Sequence, residues 1–508
     1  MTIEEGHTNS MRHLECLTQR ATCEQMSRNK KNSINWKAAI MSNENALWSF
    51  VEAKKDGFCN LADRVWETPE LLYQEKRSAA AHREMLEQQG FRVTEAVAGI
   101  ETAVMGEAGQ GGPVIAILGE YDALPGLSQQ AGVDQPTPVE QGGSGHGCGH
   151  NLLGAGALLA ATAVKDWLEA NGLPGRVRYY GCPAEEGGAA KTFMVRDGVF
   201  DDVDAAMSWH PTNFNGIIPP LTLAVAMVDF HFKGRTSHAA VSPHLGRSAL
   251  DAVELMNVGV NYLREHVPQD SRMHYAVTDS GGIAPNVVQE RATVRYSVRS
   301  LKRRDMQSLV ERVTNVARGA ATMTETSVEV DFISAMSEML DNPPLYRLLQ
   351  RHLEAVGPAQ FDDADRDFAR RIQGTLTDAD IEASFLASGV EPTDAPICDF
   401  VVPYETRGVP MLGSTDLGDI SWKVPFAQLG GGTMAIGTPL HTWQTTAQGK
   451  APAAHKAMTQ VSKALAAAAA ELLTDTKVLA EARADFDARL QKTPYQSPLT
   501  PDTRPRAA

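Results

Sequence analysis

Two imidazoles and one thiol lie within a short glycine-rich stretch of the sequence. The run Gly145-His-Gly-Cys-Gly-His150 follows further glycines and precedes a segment with helical spacing. Thiolate and imidazole are typical zinc ligands, and glycines allow the backbone of a turn to approach an ion closely. The Cys148-x-His150 spacing therefore favours metal capture, although a glycine-rich turn that only tolerates polar residues is the simpler alternative.

Two adjacent carboxylates and one histidine lie at the ends of strand-like segments, and a further histidine lies on a turn. Glu185 and Glu186 lie in the run CPAEEGG after an apolar strand, His210 ends another strand, and His441 lies on a turn far downstream. Ligands of α/β folds bind at the carboxyl ends of strands. There one carboxylate can bind metal while its neighbour handles a proton. Taken singly, the acid pair also fits a solvated turn, and His210 also fits a structural histidine.

Taken together, these side chains are stronger evidence for a metal site than any one of them alone, because the expected topology brings their loops to one end of a sheet. Five ligands are more than one four-coordinate ion needs, especially when water completes an open site. A bridged pair of ions, about 3.5–4 Å apart, uses them all. The predicted metal ligands are Cys148, His150, Glu186, His210 and His441.

The segments that must position these residues alternate between strand and helix. Such alternation predicts an α/β fold with a central, mostly parallel sheet wrapped by helices. The predicted elements are a strand at 113–118, a helix at 153–168, a strand at 177–180, a helix at 191–197 and a strand at 205–209.

From about Leu221 the pattern becomes βαββαβ, which is typical of a small ferredoxin-like α+β domain. Strand and helix signals of the first kind resume afterwards, so we expect this domain to be inserted into a discontinuous catalytic one. Met41 opens the compact part and is a candidate initiator. We predict a loose extension over 1–40, a catalytic metal-binding domain over 41–221 and 338–475, an inserted domain over 222–337, and a proline-containing tail over 476–508.

Composition excludes several classes of protein. A chain of 508 residues with 43% hydrophobic residues is globular and long enough for two or three domains. Its net charge of -15 makes nucleic acid a poor partner. No run approaches the ~18 apolar residues of a membrane span, and the N-terminus lacks a signal pattern. These two features predict a cytoplasmic protein that does not associate with a membrane. Six scattered cysteines predict reduced thiols.

Seven motifs, read in order, carry a resemblance to a known family. They are GEYDALPG, GHGCGHN, CPAEEGG, WHP, TSHA, GGIAPNVV and GTPLHTW. In this order they resemble the amidohydrolase branch of the M20 metallopeptidase family, from about Met41 to the end of the alanine-rich segment at 451–473. One departure is Asn151, which follows GHGCGH where much of the branch carries aspartate.

The resemblance implies a role for each matching residue. It makes Cys148 a ligand that bridges two divalent ions and Glu185 the general base. The mixture of soft and hard ligands admits zinc or manganese as the metal. Asp122 then orients a ligand, and His238 of the lid domain helps to hold the oxyanion, often from the partner subunit. Asn286 and Arg299 match lid positions that grip a substrate carboxylate, although Arg299 could instead be a solvated strand residue.

The resemblance also implies an activity, which is hydrolysis of the amide bond of a small N-acyl amino acid. The leading substrate is p-aminobenzoyl-glutamate, cleaved to p-aminobenzoate and glutamate. Another aryl-acyl or indole-acyl conjugate of aspartate or glutamate is one alternative. A non-catalytic subunit of a hetero-oligomeric hydrolase is another. The inserted domain is expected to serve as a lid and to form a homodimer, or a heterodimer with a related subunit.

Overall fold

The computed structural model describes residues 46–406, 408–409 and 412–506. The extension predicted over 1–40 and the candidate initiator Met41 lie outside the described residues. The strands of the described part are β1 (Arg92–Glu95), β2 (Val104–Gln110), β3 (Val114–Glu120), β4 (Gly175–Cys182), β5 (Ala205–Thr212), β6 (Gly216–Ile217), β7 (Ala224–Lys233), β8 (Arg272–Asp279), β9 (Arg291–Ser300), β10 (Ser327–Met336) and β11 (Phe426–Gly432).

The helices range from short connecting turns to two long central helices. The α-helices of the described part are α1 (46–66), α2 (Lys76–Gln88), α3 (His150–Asn171), α4 (Ala190–Arg196), α5 (Ala249–Leu263), α6 (Arg303–Met323), α7 (Pro343–Val356), α8 (Asp363–Gln373), α9 (Asp378–Ser388), α10 (Leu417–Lys423), α11 (Trp443–Gln448), α12 (Pro452–Thr474) and α13 (Thr476–Lys492).

The central sheet has seven strands in the order β1-β2-β4-β3-β5-β11-β6. Its four middle strands are mutually parallel, while the outer strands pair antiparallel. Strand β3 is buried along its whole length because helices cover both faces of the sheet. Ile115 and Ile117 pack with α3 and α12, and the alternate residues Ala116 and Leu118 pack with α4 and α10. The predicted mostly parallel α/β sheet is confirmed.

The second sheet has four antiparallel strands in the order β10-β7-β9-β8. Its strands and helices follow one another as β7, α5, β8, β9, α6 and β10, which is the expected ferredoxin-like βαββαβ order. The inward residues of the sheet pack with those of α5 and α6 in one hydrophobic cluster. The domain limits drawn at 221–222 and 337–338 stay a prediction.

The C-terminal segment differs from the tail that the sequence predicts over 476–508. Helix α13 occupies its first half, and Ala482 and Phe486 of this helix are buried. Beyond the helix, the hydroxyl of Tyr495 donates to Asp419 Oδ1 at 2.9 Å, and the side chain of Leu499 is buried. A few apolar residues between prolines are therefore enough to hold this segment on the catalytic part, which composition alone does not reveal.

Cys59, Cys148, Cys182 and Cys398 are free thiols, as expected. None of the helices in the described ranges combines the length and apolar character that crossing a bilayer demands.

Candidate metal centre

The predicted ligands meet where the parallel strands of the central sheet end. Asp122 follows β3, Glu185 and Glu186 follow β4, and His210 lies near the end of β5. His150 is the first residue of α3. The glycine-rich loop that precedes it packs closely against the backbone of Leu127. A Cβ atom on Gly145 would lie 2.0 Å from the carbonyl oxygen of Leu127, so only glycine fits there.

Five predicted ligands form two overlapping groups. Cys148, His150 and His210 form the first, and Cys148, Glu186 and His441 form the second; within each group the candidate ligand atoms lie within 4.8 Å of one another. Cys148 Sγ is 3.5 Å from His210 Nε2, and His441 Nε2 is 3.3 Å from Glu186 Oε2. Because the two groups share one thiol, the arrangement suits two cations with the sulfur between them.

The histidines of the first group are oriented with one ring nitrogen toward the shared thiol. His150 Nδ1 lies 3.0 Å from Asp122 Oδ1, and His210 Nδ1 lies 2.8 Å from the carbonyl oxygen of Pro211. These acceptors favour a proton on Nδ1 of each ring, which leaves Nε2 as the ligand atom. Burial lowers the pKa of His210 to about 4. This shift favours the neutral form of the ring, which is the form that binds metal.

Asp122 connects two candidate ligands, His150 and Glu186, through its two carboxylate oxygens. Oδ1 contacts the His150 ring, and Oδ2 accepts the backbone N–H of Glu186 at 2.9 Å. Burial raises the pKa of Asp122, but the contacts with the His150 ring and with the Glu186 N–H, together with the nearby Lys191, lower it overall. An ionised carboxylate at this point fixes the His150 ring and the Glu186 loop relative to each other.

The residues present fit a metal centre. His150 Nε2 and Glu186 Oε1 are buried and have no hydrogen-bond partner among the described residues. Buried polar atoms of this kind normally have a partner, and both atoms face the groups that share Cys148. Divalent cations held there would satisfy them.

Glu185 lies beside the ligands and belongs to a third group with Glu120 and His150. Burial raises the pKa of Glu185, and the carboxylates of Glu120 and Glu186 raise it further. A carboxyl group whose environment favours the protonated form is suited to taking up a proton during a reaction.

A buried lysine accompanies the site and was missed by the sequence analysis. Lys191 Nζ lies 2.7 Å from Glu120 Oε1 and 2.6 Å from Asp416 Oδ1, and none of the three side chains is more than 1% exposed. Glu120 Oε2 in turn lies 3.3 Å from His150 Nε2. The only sequence signal was Glu120 itself, which stands two residues before Asp122 in the GEYDALPG motif.

The three predicted lid residues do not join this cluster within the part of the chain that the structure describes. His238 and Asn286 are exposed and lie side by side, since the Ala239 N–H donates to the Asn286 carbonyl oxygen at 3.0 Å. Arg299 is half-buried, and its guanidinium donates to Ser414 Oγ at 3.2 Å. Ser414 lies two residues before Asp416, so Arg299 is adjacent to the loop that holds Lys191.

The side-chain amide of Asn151 has a structural role. It is fully buried, and its Nδ2 donates to the carbonyl oxygens of Gly449 at 2.9 Å and Ala62 at 3.3 Å. An aspartate in the same position has no proton to donate once ionised. The asparagine therefore joins α3 to α1 and to the segment before α12.

We expect Asn151→Asp to lower the free energy of unfolding by about 3 kcal/mol or more, because it buries a charge against two carbonyl oxygens. This loss exceeds the ~0.3–1 kcal/mol that an acid gains at a helix N-terminus. Urea unfolding of metal-free protein measures it. Asn171→Asp is the control, since that exposed side chain bonds only Trp167 O of its own helix. Equal losses in both variants would contradict the expectation.

Comparisons with known proteins agree with this geometry. Residues 116–374 match the model of Peptidase family M20/M25/M40. The chain is 46% identical over 466 residues to the B subunit of p-aminobenzoyl-glutamate hydrolase of Escherichia coli (strain K12). This alignment covers 90% of this chain and 97% of that protein. Among solved structures, an aminohydrolase from methicillin-resistant Staphylococcus aureus superposes with a TM-score of 0.60 at 17% identity, over 85% of this chain and all of that one.

A dinuclear metal-binding M20 peptidase from Bacillus subtilis superposes with a TM-score of 0.51 at 20% identity, over 83% of this chain and 99% of that one. The fold and the cluster around Cys148 define a metal-dependent amidohydrolase. The chain belongs to peptidase family M20/M25/M40.

Proposed function

We propose that the protein hydrolyses p-aminobenzoyl-glutamate to p-aminobenzoate and glutamate. One observation carries this proposal: two ligand groups share Cys148, and Glu185 lies directly beside them. The high identity to one subunit of the E. coli hydrolase, over nearly the whole of that protein, supports the choice of substrate.

We further propose that Cys148, His150, Glu186, His210 and His441 hold two divalent cations. Thiolate and imidazole favour zinc, while carboxylates also admit manganese. When bound, such cations polarise a carbonyl and lower the pKa of water from 15.7 toward ~7. Metal analysis of the purified protein, then chelation and add-back of each ion, distinguishes zinc from manganese.

Glu185 is the proposed general base. Its carboxylate takes one proton from the attacking water and gives it to the amide nitrogen, so that the C–N bond breaks and the amine leaves neutral. The raised pKa of Glu185 favours holding that proton between the two transfers. Asp122 keeps the neighbouring Glu186 in place during both transfers through the Glu186 N–H.

The unit built on β7 to β10 is the proposed lid. His238 is exposed and makes no contact with the metal ligands among the described residues, which fits a role in a partner subunit's site. Strand β8 is an edge of its sheet, and Tyr275 and Val277 on it are exposed, as are Val258 and Tyr262 of α5. Such an uncovered apolar face is typical of a subunit interface. We propose that a second subunit, identical or related, covers it.

Arg299 is the proposed grip on the substrate carboxylate, with Asn286 assisting from a neighbouring subunit's lid. No carboxylate of the described residues pairs with Arg299, and a planar guanidinium binds a carboxylate through two parallel bonds. We expect Arg299→Lys to lower kcat/KM by about 10–100-fold, mostly through KM, because one charged hydrogen bond is lost.

Steady-state kinetics with p-aminobenzoyl-glutamate checks this expectation. Arg291→Lys is the matched control, because Arg291 stands on the same strand and pairs with Asp279 at 2.9 Å. If both variants bind the substrate equally well, Arg299 has no part in recognition.

The substrate assignment is tested by hydrolysis of p-aminobenzoyl-glutamate beside indoleacetyl-aspartate, with the released acids separated by chromatography. A clear preference for the first compound supports the proposal. A large preference for the second would assign the site to another conjugate of an acidic amino acid. Because subunits A and B of the E. coli hydrolase are both similar to this chain, the chain is assayed both alone and with any protein that co-purifies with it. A cytoplasmic location stays a prediction.

A further inference from the structure

The loop that carries Glu185 and Glu186 has an unusual backbone. Ala184 and Ala189 flank the two acids, and both have left-handed dihedral angles, with φ of 56° and 60°. Side chains with a Cβ atom rarely adopt this conformation, so surrounding contacts must hold it. The residues that supply those contacts determine the orientation of Glu185, the proposed general base.

The segment Glu70–Glu75, just before α2, supplies contacts at both ends of this loop. Glu75 Oε1 accepts the backbone N–H of Ala184 at 3.0 Å, and the hydroxyl of Tyr73 donates to the carbonyl oxygen of Gly188 at 2.6 Å. Tyr73 is itself left-handed, with φ of 60°, and its N–H donates to the same Glu75 oxygen at 2.9 Å.

The same segment also holds the neighbouring loop of the site. The carbonyl oxygen of Glu70 accepts the N–H of Ala123 at 2.9 Å, next to Asp122. Asp122 in turn accepts the N–H of Glu186. The Asp122 loop and the Glu185 loop are thus fixed to one short segment and to each other.

Capping of α2 does not explain Glu75. This residue occupies the N-cap position of the helix, but its side chain makes no capping hydrogen bond. The carboxylate of Glu70 caps the helix instead, by accepting the N–H groups of Arg77 and Ser78 at 2.9 Å. Glu75 is 0% exposed, and its Oε1 accepts the N–H groups of Tyr73 and Ala184. Burying a carboxylate is costly without such donors.

We propose that Tyr73 and Glu75 are positioning residues that hold the Glu185 carboxylate in its working orientation. This inference rests on the proposed role of Glu185 as general base. Neither side chain belongs to the candidate ligand groups of the described residues. Both act on the backbone at the two ends of the loop, so their loss moves Glu185 without removing it.

The test combines kinetics with hydrogen exchange of the peptide that covers 183–189, both on metal-loaded protein. Glu75→Leu removes the acceptor, and we expect kcat to fall by about 30–100-fold with KM within about threefold, as small displacements of a catalytic group produce. We expect exchange of the loop peptide to rise by about tenfold or more. Glu75→Gln keeps an acceptor oxygen, and it should recover most of the lost turnover and protection.

Glu338→Leu is the matched control, because the buried Glu338 likewise accepts a backbone N–H, from Arg303 at 2.9 Å. The inference is overturned if Glu75→Leu matches this control in kcat and in loop exchange. If Glu75→Leu does not fold, Tyr73→Phe decides, with an expected loss in kcat of about fivefold from one missing hydrogen bond. Absence of hydrolysis by every form, wild type included, refutes the proposed function, whereas exchange still reports on the positioning.

Discussion

Glu185→Gln should lower kcat by about 10²–10⁴-fold, because the amide cannot take a proton from water or return it to the leaving nitrogen. KM should change little, since the variant keeps the size of the side chain and all proposed contacts with the substrate carboxylate. The measurement is steady-state turnover of p-aminobenzoyl-glutamate by the assembled, metal-loaded protein. Unchanged turnover would favour a silent subunit whose partner performs the chemistry.

Glu186→Gln is the matched control, because it makes the same change at the adjacent residue. Glu186 belongs to the ligand group with Cys148 and His441, so this variant should lose metal affinity as well as turnover. Glu185→Gln should retain the full metal content. The pair therefore separates loss of a base from loss of a ligand, and identical metal contents with identical turnover would contradict the assignment of roles.

Cys148→Ala should reduce the bound metal from the proposed two ions per chain to one or fewer. Turnover should fall at least 10²-fold, to the residual activity that the remaining groups support. The reason is geometric: the thiol is the one side chain common to both ligand groups. Metal content after dialysis, measured by elemental analysis, checks the stoichiometry.

Cys398→Ala is the control for removing a buried thiol. The Cys398 thiol is fully buried and lies 3.2 Å from the carbonyl oxygen of Phe400, in a small cluster that contains no predicted ligand. It should bind two ions and turn over normally. Retention of both ions by Cys148→Ala would show that the thiol does not bridge them.

The five proposed ligands could be placed at one end of the sheet from sequence because their motifs lie next to strand or helix boundaries, although His441 taken alone gave only a weak signal. The buried Lys191 was not, because its partners Glu120 and Asp416 come from segments far apart in sequence. A charge pair of this kind has no local pattern. The roles of Tyr73 and Glu75 were hidden for the same reason, since hydrogen bonds to backbone atoms leave no trace in the composition of the loop they hold.

Strand β11 shows a second limit of pattern reading. Its sequence FAQLGGG has three glycines and does not resemble a strand, yet it is buried along its full length between β5 and β6. A Cβ atom on Gly431 would lie 2.7 Å from Val461 Cγ2 and 2.9 Å from Trp209 Cζ3. The glycine is required by tertiary packing, which overrides the low strand propensity of the segment.

The two ligand groups differ in their contact with solvent. The side chain of His150 is 0% exposed, whereas that of His441 is 52% exposed. If the two groups hold the proposed pair of cations, bulk water reaches them most readily on the His441 side. Exchange of ions should then be sequential, with the cation beside His441 passing to a chelator before the one beside the buried His150, so that partly loaded protein is an intermediate of both loading and stripping.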